Sequence, residues 1–406
     1  MWRTLKLLFH YVSAVMRSRY VWLLLIYALW EYRVENIPND AGGFARMLQV
    51  ACLMGMAALV SVYNPGTFGR VWTRSNAPVR WACALYVYAT ASALWSIMPF
   101  FSAFLAVQNI VLIVCLLWLL TRGNSFVSRE RTFLLFGLGV MLFDAVFTRV
   151  LGGGFQLFTH HLTVGSSAAM MLSYCTAEWW GMRRNDRRRK ALLKGCLVWS
   201  AVLLVLATSS GANASAAFGV GVAAFLSGKV LIYLVLFVGA VFLFVFRERL
   251  DEIILLIMPG KTKETLESAT GRAALWDIML ELAARKPWFG WGYACIERAA
   301  TLTGRIQSPD AHNNYLGLYG SLGYVGSAIA YLGFASTLFH AWARRLRPGY
   351  KGIIAAYCCA LLNGYTYGYM AGKACNITVM FFALVVLTYA YAHVKVYDDT
   401  TVERQD

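Results

Sequence analysis

The sequence is poor in charged residues. Only 14% of its 406 residues are Asp, Glu, Lys or Arg, whereas a typical soluble domain carries about 25%. Hydrophobic residues make up 59% of the chain. They recur from end to end in runs of about twenty residues, each long enough to cross the hydrocarbon core of a bilayer, which is about 30 Å thick. The composition therefore excludes an ordinary soluble domain and predicts an all-α polytopic membrane protein.

Acidic residues are scarcer than basic ones. The chain has 20 Asp and Glu against 37 Lys and Arg, which gives a formal net charge of +17. In a soluble protein this excess could indicate nucleic-acid binding, but the cytoplasmic loops of membrane proteins also collect Lys and Arg. We therefore expect membrane lipids, and no nucleic acid, as partners. The strongest basic anchor is RRNDRRRK at Arg183–Lys190.

The sequence also lacks the patterns of a signal peptide, a disulfide framework and a metal site. MWRTLKLLFH at the N-terminus has no short apolar core followed by a small-residue cleavage site. Most of the nine cysteines lie inside apolar runs, as small buried hydrophobes do. Cys295 and Cys375 fall in segments expected to be external, where they could form a bond. No Cys or His spacing is typical of metal binding, so we expect neither a metal nor a cofactor.

The apolar runs predict about twelve transmembrane helices. Their centres lie near residues 24, 54, 90, 111, 140, 172, 200, 219, 238, 328, 362 and 385. If the N-terminus is cytoplasmic, the inside segments hold most of the Lys and Arg, as the positive-inside rule requires. We divide the chain into residues 1–246 with spans 1–9, residues 247–313 as a large external helical loop, and residues 314–406 with spans 10–12 and a cytoplasmic tail.

The external loop contains ESATGRAALWDIMLELAARKPWFGWGYACIE. Trp276, Met279, Leu280 and Ala283 recur at helical spacing and predict an amphipathic helix. Pro287 cannot continue a helix, so we expect the helix to end just before it. Its apolar face would lie on the membrane surface or against the ends of the spans.

Arg272 occupies the first turn of this predicted helix, where a cation is electrostatically unfavourable. A bound phosphate would make the position of Arg272 electrostatically favourable, because the helix N-terminus and the guanidinium could share the phosphate. Gly271 would let the phosphate approach the backbone. The alternative is a solvated arginine, or one paired with Asp277 or Glu267.

Aromatic residues cluster in PWFGWG and in GYTYGYMAGK. Trp288 and Trp291 could line a sugar site, but aromatic belts at the membrane surface are the commoner explanation and the one we favour. Lys373, in the second cluster, adds an outward-facing cation.

The stretch AHNNYLGLYGSLGYVG places His312 at the expected outer mouth of span ten. Imidazole titrates near neutral pH, so His312 could take a proton from a substrate hydroxyl. Asn313 and Asn314 could orient the ring or a sugar hydroxyl. The alternative is a helix cap, with Asp310 or Asn313 as the capping residue and His312 without a role.

The order TGR…W…KPWFGWG…HNNYL…G..G, from Thr270 to about Gly326, resembles the signature of the O-antigen ligase and O-antigen polymerase superfamily. A second stretch, TRVLGGGFQLFTHHLTVGSSAA at Thr148–Ala168, is similar to another family region. The resemblance implies a fold like that of GT-C glycosyltransferases and an inverting, metal-independent transferase. Such a ligase moves O-antigen from undecaprenyl diphosphate to lipid A-core, in the bacterial inner membrane, with its site facing the periplasm.

The resemblance also implies roles for particular residues. His312 would be the general base for the acceptor hydroxyl, and Arg272 would grip the diphosphate. Arg149 would be a second diphosphate ligand, with His161 close to it. The family pattern carries an arginine after span seven, where this chain reads LATSSGANASAA. Arg149 or Lys373 would have to supply that charge.

Two groups of alternatives stay open. An O-antigen polymerase or a protein O-oligosaccharyltransferase would share the donor and the fold and differ in the acceptor. A twelve-span transporter would place ionisable residues in the membrane, and Asp144 is a candidate for such a residue. Glu178 lies near the inner end of span six, where we expect it to reach the interface beside Trp179 and Trp180.

Overall fold

The computed structural model describes residues 67–121, 123–145, 161–182, 187–207, 209–229, 275–304, 312–372 and 375–394, with scattered residues between 51 and 61. These residues form helices, and no strand occurs among them. In chain order the helices are α1 Thr67–Arg74, α2 Ala77–Ala91, α3 Pro99–Leu120, α4 Phe126–Ala145, α5 His161–Gly181, α6 Arg187–Ala207, α7 Ser210–Leu226, α8 275–285, α9 Ile296–Leu302, α10 Asn314–Ala343, α11 Tyr350–Asn363 and α12 Asn376–Ala392. A short 3-10 turn, Ser92–Leu94, extends α2.

Nine of these helices, α2–α7 and α10–α12, lie at predicted span positions. Three of them, α3, α6 and α10, are by themselves long and apolar enough to cross a membrane. The all-α class and the membrane character are therefore confirmed. The spans predicted near residues 24 and 238 lie outside the described residues, and the one near 54 is described only at scattered positions. The number twelve and the domain boundaries stay predictions.

Helix α12 lies at the centre of the bundle. Every residue from Ile377 to Thr388 is buried, as expected for a helix that is apolar on all sides. It contacts α2, α3, α5 and α11, among others. On one side α5 packs against α6, α7 and α11, and on another α2 packs against α3 and α10. These contacts bring loops that are distant in sequence to the same end of the bundle.

Helix α10 folds back on itself at Gly323, which has φ 66° and ψ −166°. The ring of Tyr315 lies 6.2 Å from that of Tyr331 and 6.5 Å from that of Phe334. In a continuous helix, residues with the spacing of Tyr315 and Tyr331 would be about 24 Å apart. The helix therefore has two limbs, an outer limb Asn314–Leu322 and a spanning limb Tyr324–Ala343.

The fold-back changes the path of the chain after His312. We expected His312 at the outer mouth of span ten, and its position relative to the membrane stays a prediction. The residue precedes the outer limb, and the next turn of helix lies beside the middle of the spanning limb, at Tyr331 and Phe334. Glycine adopts a positive φ without steric cost, so the reversal leaves no mark in the hydropathy of the segment.

The end of the bundle opposite to His312 carries a buried charge cluster. Arg189 of α6 binds Glu130 of α4 through Nε at 2.5 Å and Nη2 at 2.7 Å, and it binds Glu178 of α5 at 2.7 Å. Glu178 also accepts the backbone N–H groups of Gly349 and Gly352, each at 3.0 Å. The expectation that Glu178 reaches towards the interface is therefore wrong, because its carboxylate is buried and fully engaged.

Candidate active site

His312 has a left-handed backbone conformation, with φ 47°. This region is uncommon for residues other than glycine, and such strain is concentrated at functional sites. Among the described residues only one other non-glycine residue, Ala294, shares a positive φ. The His312 side chain is half-buried, and its ring lies 6.3 Å from the ring of Tyr367.

Asn313 caps the outer limb of α10. Its Oδ1 accepts the backbone N–H groups of Tyr315 and Leu316, each at 3.0 Å. This is the usual role of asparagine at a helix start, and it agrees with the capping alternative. The carboxamide oxygen is thus engaged within the protein, and contact between Asn313 and a substrate stays a prediction.

Asn314 organises the turn between α11 and α12, a role that the sequence did not reveal. Its backbone N–H donates to Gly364 O at 2.7 Å. Its Oδ1 accepts the N–H groups of Tyr369 at 3.3 Å and Met370 at 2.8 Å. One fully buried residue therefore holds both ends of the GYTYGYM turn next to His312. The only signal in the sequence was a second asparagine where an apolar segment begins.

The starts of α5 and α7 reach the same turn. Thr163 Oγ1 and Tyr367 OH share a hydrogen bond of 3.2 Å, and Ser166 Oγ donates to Asn363 Oδ1 at 3.0 Å. In α7, a Cβ added at Gly211 would lie 2.4 Å from the Thr366 hydroxyl. The structure thus brings His312, the turn after α11 and the first residues of α5 and α7 together.

The other predicted site residues are placed only in part. His161 is the first residue of α5, close in sequence to Thr163, but its side chain lies outside the described part of the structure. Arg149, Arg272 and Lys373 also lie outside the described residues. Their roles, and the choice of cation that replaces the missing family arginine, stay predictions.

The amphipathic helix of the external segment is confirmed over 275–285, and it ends before Pro287. Met279 and Leu282 are buried and pack with Ile296 and Ala300 of α9 and with Leu316 of α10. The apolar face that carries Met279 and Leu282 therefore packs on the outer limb. Leu280, which we expected on the apolar face, is instead exposed.

PWFGWG joins the external segment to the fold-back of α10 through four backbone hydrogen bonds. The N–H groups of Trp291 and Gly292 donate to Gly320 O at 3.1 Å and Ser321 O at 2.9 Å. In return Tyr324 and Val325 donate to Pro287 O at 2.8 Å and Trp288 O at 3.2 Å. The backbone groups freed by the break in α10 are thus satisfied by this loop, as buried backbone groups must be.

The two tryptophans of this loop have different surroundings. Trp291 is partly buried, and its Nε1–H donates to Leu282 O at 2.8 Å. Trp288 is 64% exposed and lies edge-on to Tyr324, which is 52% exposed. Trp291 therefore stabilises the loop, whereas Trp288 and Tyr324 form an outward aromatic surface. This surface agrees with the aromatic belt that the sequence favoured.

Gly323→Ala is expected to destabilise this junction. A Cβ at Gly323 would lie 2.3 Å from Trp288 O, and it would also have to adopt a positive φ. The φ strain alone costs about 1–2 kcal/mol, and the clash would break the hydrogen bonds described above. Thermal unfolding in detergent measures the effect. Gly228→Ala is the matched control, because Gly228 also has φ 66° but has open space around it. Equal losses in the two variants would contradict the role of the junction.

The described residues define a class of protein, a multi-pass helical membrane protein in which His312 lies beside the turn after α11 and the first residues of α5 and α7. Residues 195–331 match the family model described as O-antigen ligase. The match covers about a third of the chain, including Arg272 and His312, and it confirms the resemblance predicted from the motifs. Residues 195–331 are therefore similar to the O-antigen ligase domain of the O-antigen ligase and polymerase superfamily. A search of curated proteins gave no match.

Proposed function

We propose that this protein is an O-antigen ligase that transfers O-antigen polysaccharide from undecaprenyl diphosphate to the lipid A-core of lipopolysaccharide. The observation that carries the proposal is the placement of His312, a strained residue in the segment that matches the O-antigen ligase model, beside the turn after α11 that the first residues of α5 and α7 contact. The protein would act in the bacterial inner membrane on a donor and an acceptor that are both lipids. The site would face the periplasm.

In the proposed mechanism His312 accepts the proton of the acceptor hydroxyl as the hydroxyl oxygen attacks the anomeric carbon of the donor. The bond from that carbon to the diphosphate oxygen breaks, and undecaprenyl diphosphate leaves with the electron pair. Attack opposite to the leaving group inverts the anomeric carbon. Arg272, Arg149 and Lys373 are the cations proposed to balance the charge of the diphosphate, with His161 nearby.

The diphosphate is already a good leaving group, so the proposed reaction needs a base on the acceptor side and cations on the donor side. The polar contacts of Thr163 with Tyr367 and of Asn314 with the turn after α11 support this proposal. They hold the surroundings of His312 in one arrangement, and fixed geometry is a large part of enzymatic rate enhancement.

Complementation of a strain that lacks its own O-antigen ligase tests the function. We expect the wild-type chain, expressed in the membrane, to restore the polymer ladder of lipopolysaccharide on a gel. Free lipid A-core together with polymer that stays on its lipid carrier would contradict ligation to the core. Restoration of chain length in a polymerase-deficient strain, or sugar transfer to a protein, would instead favour the related polymerase or protein O-oligosaccharyltransferase activity.

A further inference from the structure

Tyr293 of the external segment reaches into the bundle next to the turn after α11. It follows PWFGWG, it is fully buried, and its backbone N–H donates to Ser92 Oγ at 2.9 Å. Its ring lies edge-on to that of Tyr86 at 5.8 Å. The residue is therefore held at both its backbone and its ring, and its hydroxyl has a defined position.

The Tyr293 hydroxyl donates to two backbone carbonyls of the turn, Met370 O and Gly372 O, each at 2.9 Å. Asn109 of α3 donates to the same hydroxyl oxygen at 3.1 Å. Because that amide already supplies a hydrogen, the hydroxyl hydrogen is left for the two carbonyls. Burial raises the pKa of Tyr293, which keeps the hydroxyl protonated as a donor.

Both polar backbone groups of Met370, its N–H and its carbonyl, are therefore hydrogen-bonded. Its N–H donates to Asn314 Oδ1 at 2.8 Å, and its carbonyl accepts from Tyr293 and, at 3.2 Å, from Tyr86. Asn314 lies two residues after His312 in the chain. Two hydrogen bonds therefore connect the Tyr293 hydroxyl, through Met370, to the residue that begins the outer limb.

We propose that Tyr293 is a positioning residue for the transfer reaction, acting through Met370 and Asn314 on the backbone that carries His312. This inference rests on the proposed function. Removing the hydroxyl would free the turn from the external segment while leaving the ring in its packing. A small displacement of a reacting group is enough to lower a rate markedly. We therefore expect the loss of the hydroxyl to lower turnover rather than substrate affinity.

Tyr293→Phe tests the inference in purified protein with a lipid-linked polysaccharide donor and a lipid A-core acceptor. We expect kcat to fall by about tenfold while both KM values stay within about twofold. Hydrogen exchange, measured on the same samples, should be faster at the amides of Tyr369 and Met370, which donate to Asn314 in the wild type.

Tyr350→Phe is the matched control. Tyr350 is also fully buried, and its hydroxyl donates to one backbone carbonyl, Thr388 O, at 3.0 Å, at the opposite end of the bundle. It should keep the wild-type kcat and leave exchange at Met370 unchanged. Equal kcat losses in both variants, or unchanged exchange at Met370 in Tyr293→Phe, would overturn the positioning role while the ligase function stands. Wild-type protein that transfers nothing would instead overturn the ligase function, and the exchange result would still report on the turn.

Discussion

His312→Ala is expected to lower the rate of polysaccharide transfer by about 10²–10⁴-fold, which is the usual contribution of a general base. The loss should appear in kcat, with the protein still folded in the membrane. The physical reason is that imidazole, with its near-neutral pKa, can accept the hydroxyl proton as the new bond forms. The measurement is turnover of purified protein, or the lipopolysaccharide ladder in complemented cells.

One further variant, His312→Asn, separates the role of the imidazole ring from that of the backbone, and His393→Ala is its control. Alanine is strained at φ 47°, so a loss in His312→Ala alone could come from a changed backbone. Asparagine tolerates the left-handed region better than alanine and has no basic ring, so His312→Asn should be equally inactive. His393→Ala, at the exposed opposite end of α12, should keep full activity. A fully active His312→Asn would remove the base from the mechanism and leave His312 only a backbone role.

The sequence predicted the parts of this fold that depend on hydrophobic periodicity. Nine helices lie where apolar runs of suitable length predict spans, and the buried positions of Met279 and Ala283 follow the helical repeat. The helix also ends before Pro287, where the missing N–H requires it. Each of these features is determined by neighbours within a few turns of the chain, so local patterns are sufficient.

The features that define the site depend on residues far apart in sequence. The reversal at Gly323 requires the carbonyl of Trp288 and its neighbours as partners, yet GLYGSLGYVG reads equally well as a continuous span. Asn314 holds Tyr369 and Met370, and nothing in the pattern around Asn314 indicates that turn. A catalytic role for His312 could be favoured only by resemblance to a family, because the capping alternative explains the local residues as well.

The charge cluster at the opposite end shows the same limit. RRNDRRRK was predicted as a basic anchor at the membrane surface, and exposed Arg187 and Arg188 agree with that prediction. Arg189, in the same run, instead turns inward to Glu130 and Glu178. Adjacent residues on a helix point in different directions, but only the packing of α4, α5 and α6 determines which arginine meets the carboxylates.

Arg189→Ala is expected to lower the free energy of unfolding by about 3–5 kcal/mol, the cost of breaking a buried ion pair. Its side chain is 13% exposed, and those of Glu130 and Glu178 are 1% and 7% exposed. Removal of the guanidinium would leave two buried carboxylates without their shared cation. Heating the protein in detergent with a thiol-reactive dye measures the effect, since buried cysteines such as Cys175 and Cys196 react only on unfolding.

The controls separate charge from size and stability from catalysis. Arg187→Ala, on the exposed face of α6, should change the free energy of unfolding by less than about 0.5 kcal/mol. Glu130→Gln and Glu178→Gln together with Arg189→Met should recover part of the stability, because an uncharged set leaves no unpaired charge. Recovery stays incomplete because glutamine has one acceptor oxygen for the two N–H groups of Gly349 and Gly352. If Arg189→Ala melts like the wild type, the cluster adds nothing to stability. Because the cluster lies at the end of the bundle opposite to His312, folded Arg189→Ala should retain its kcat, whereas His312→Asn should keep its melting temperature and lose turnover.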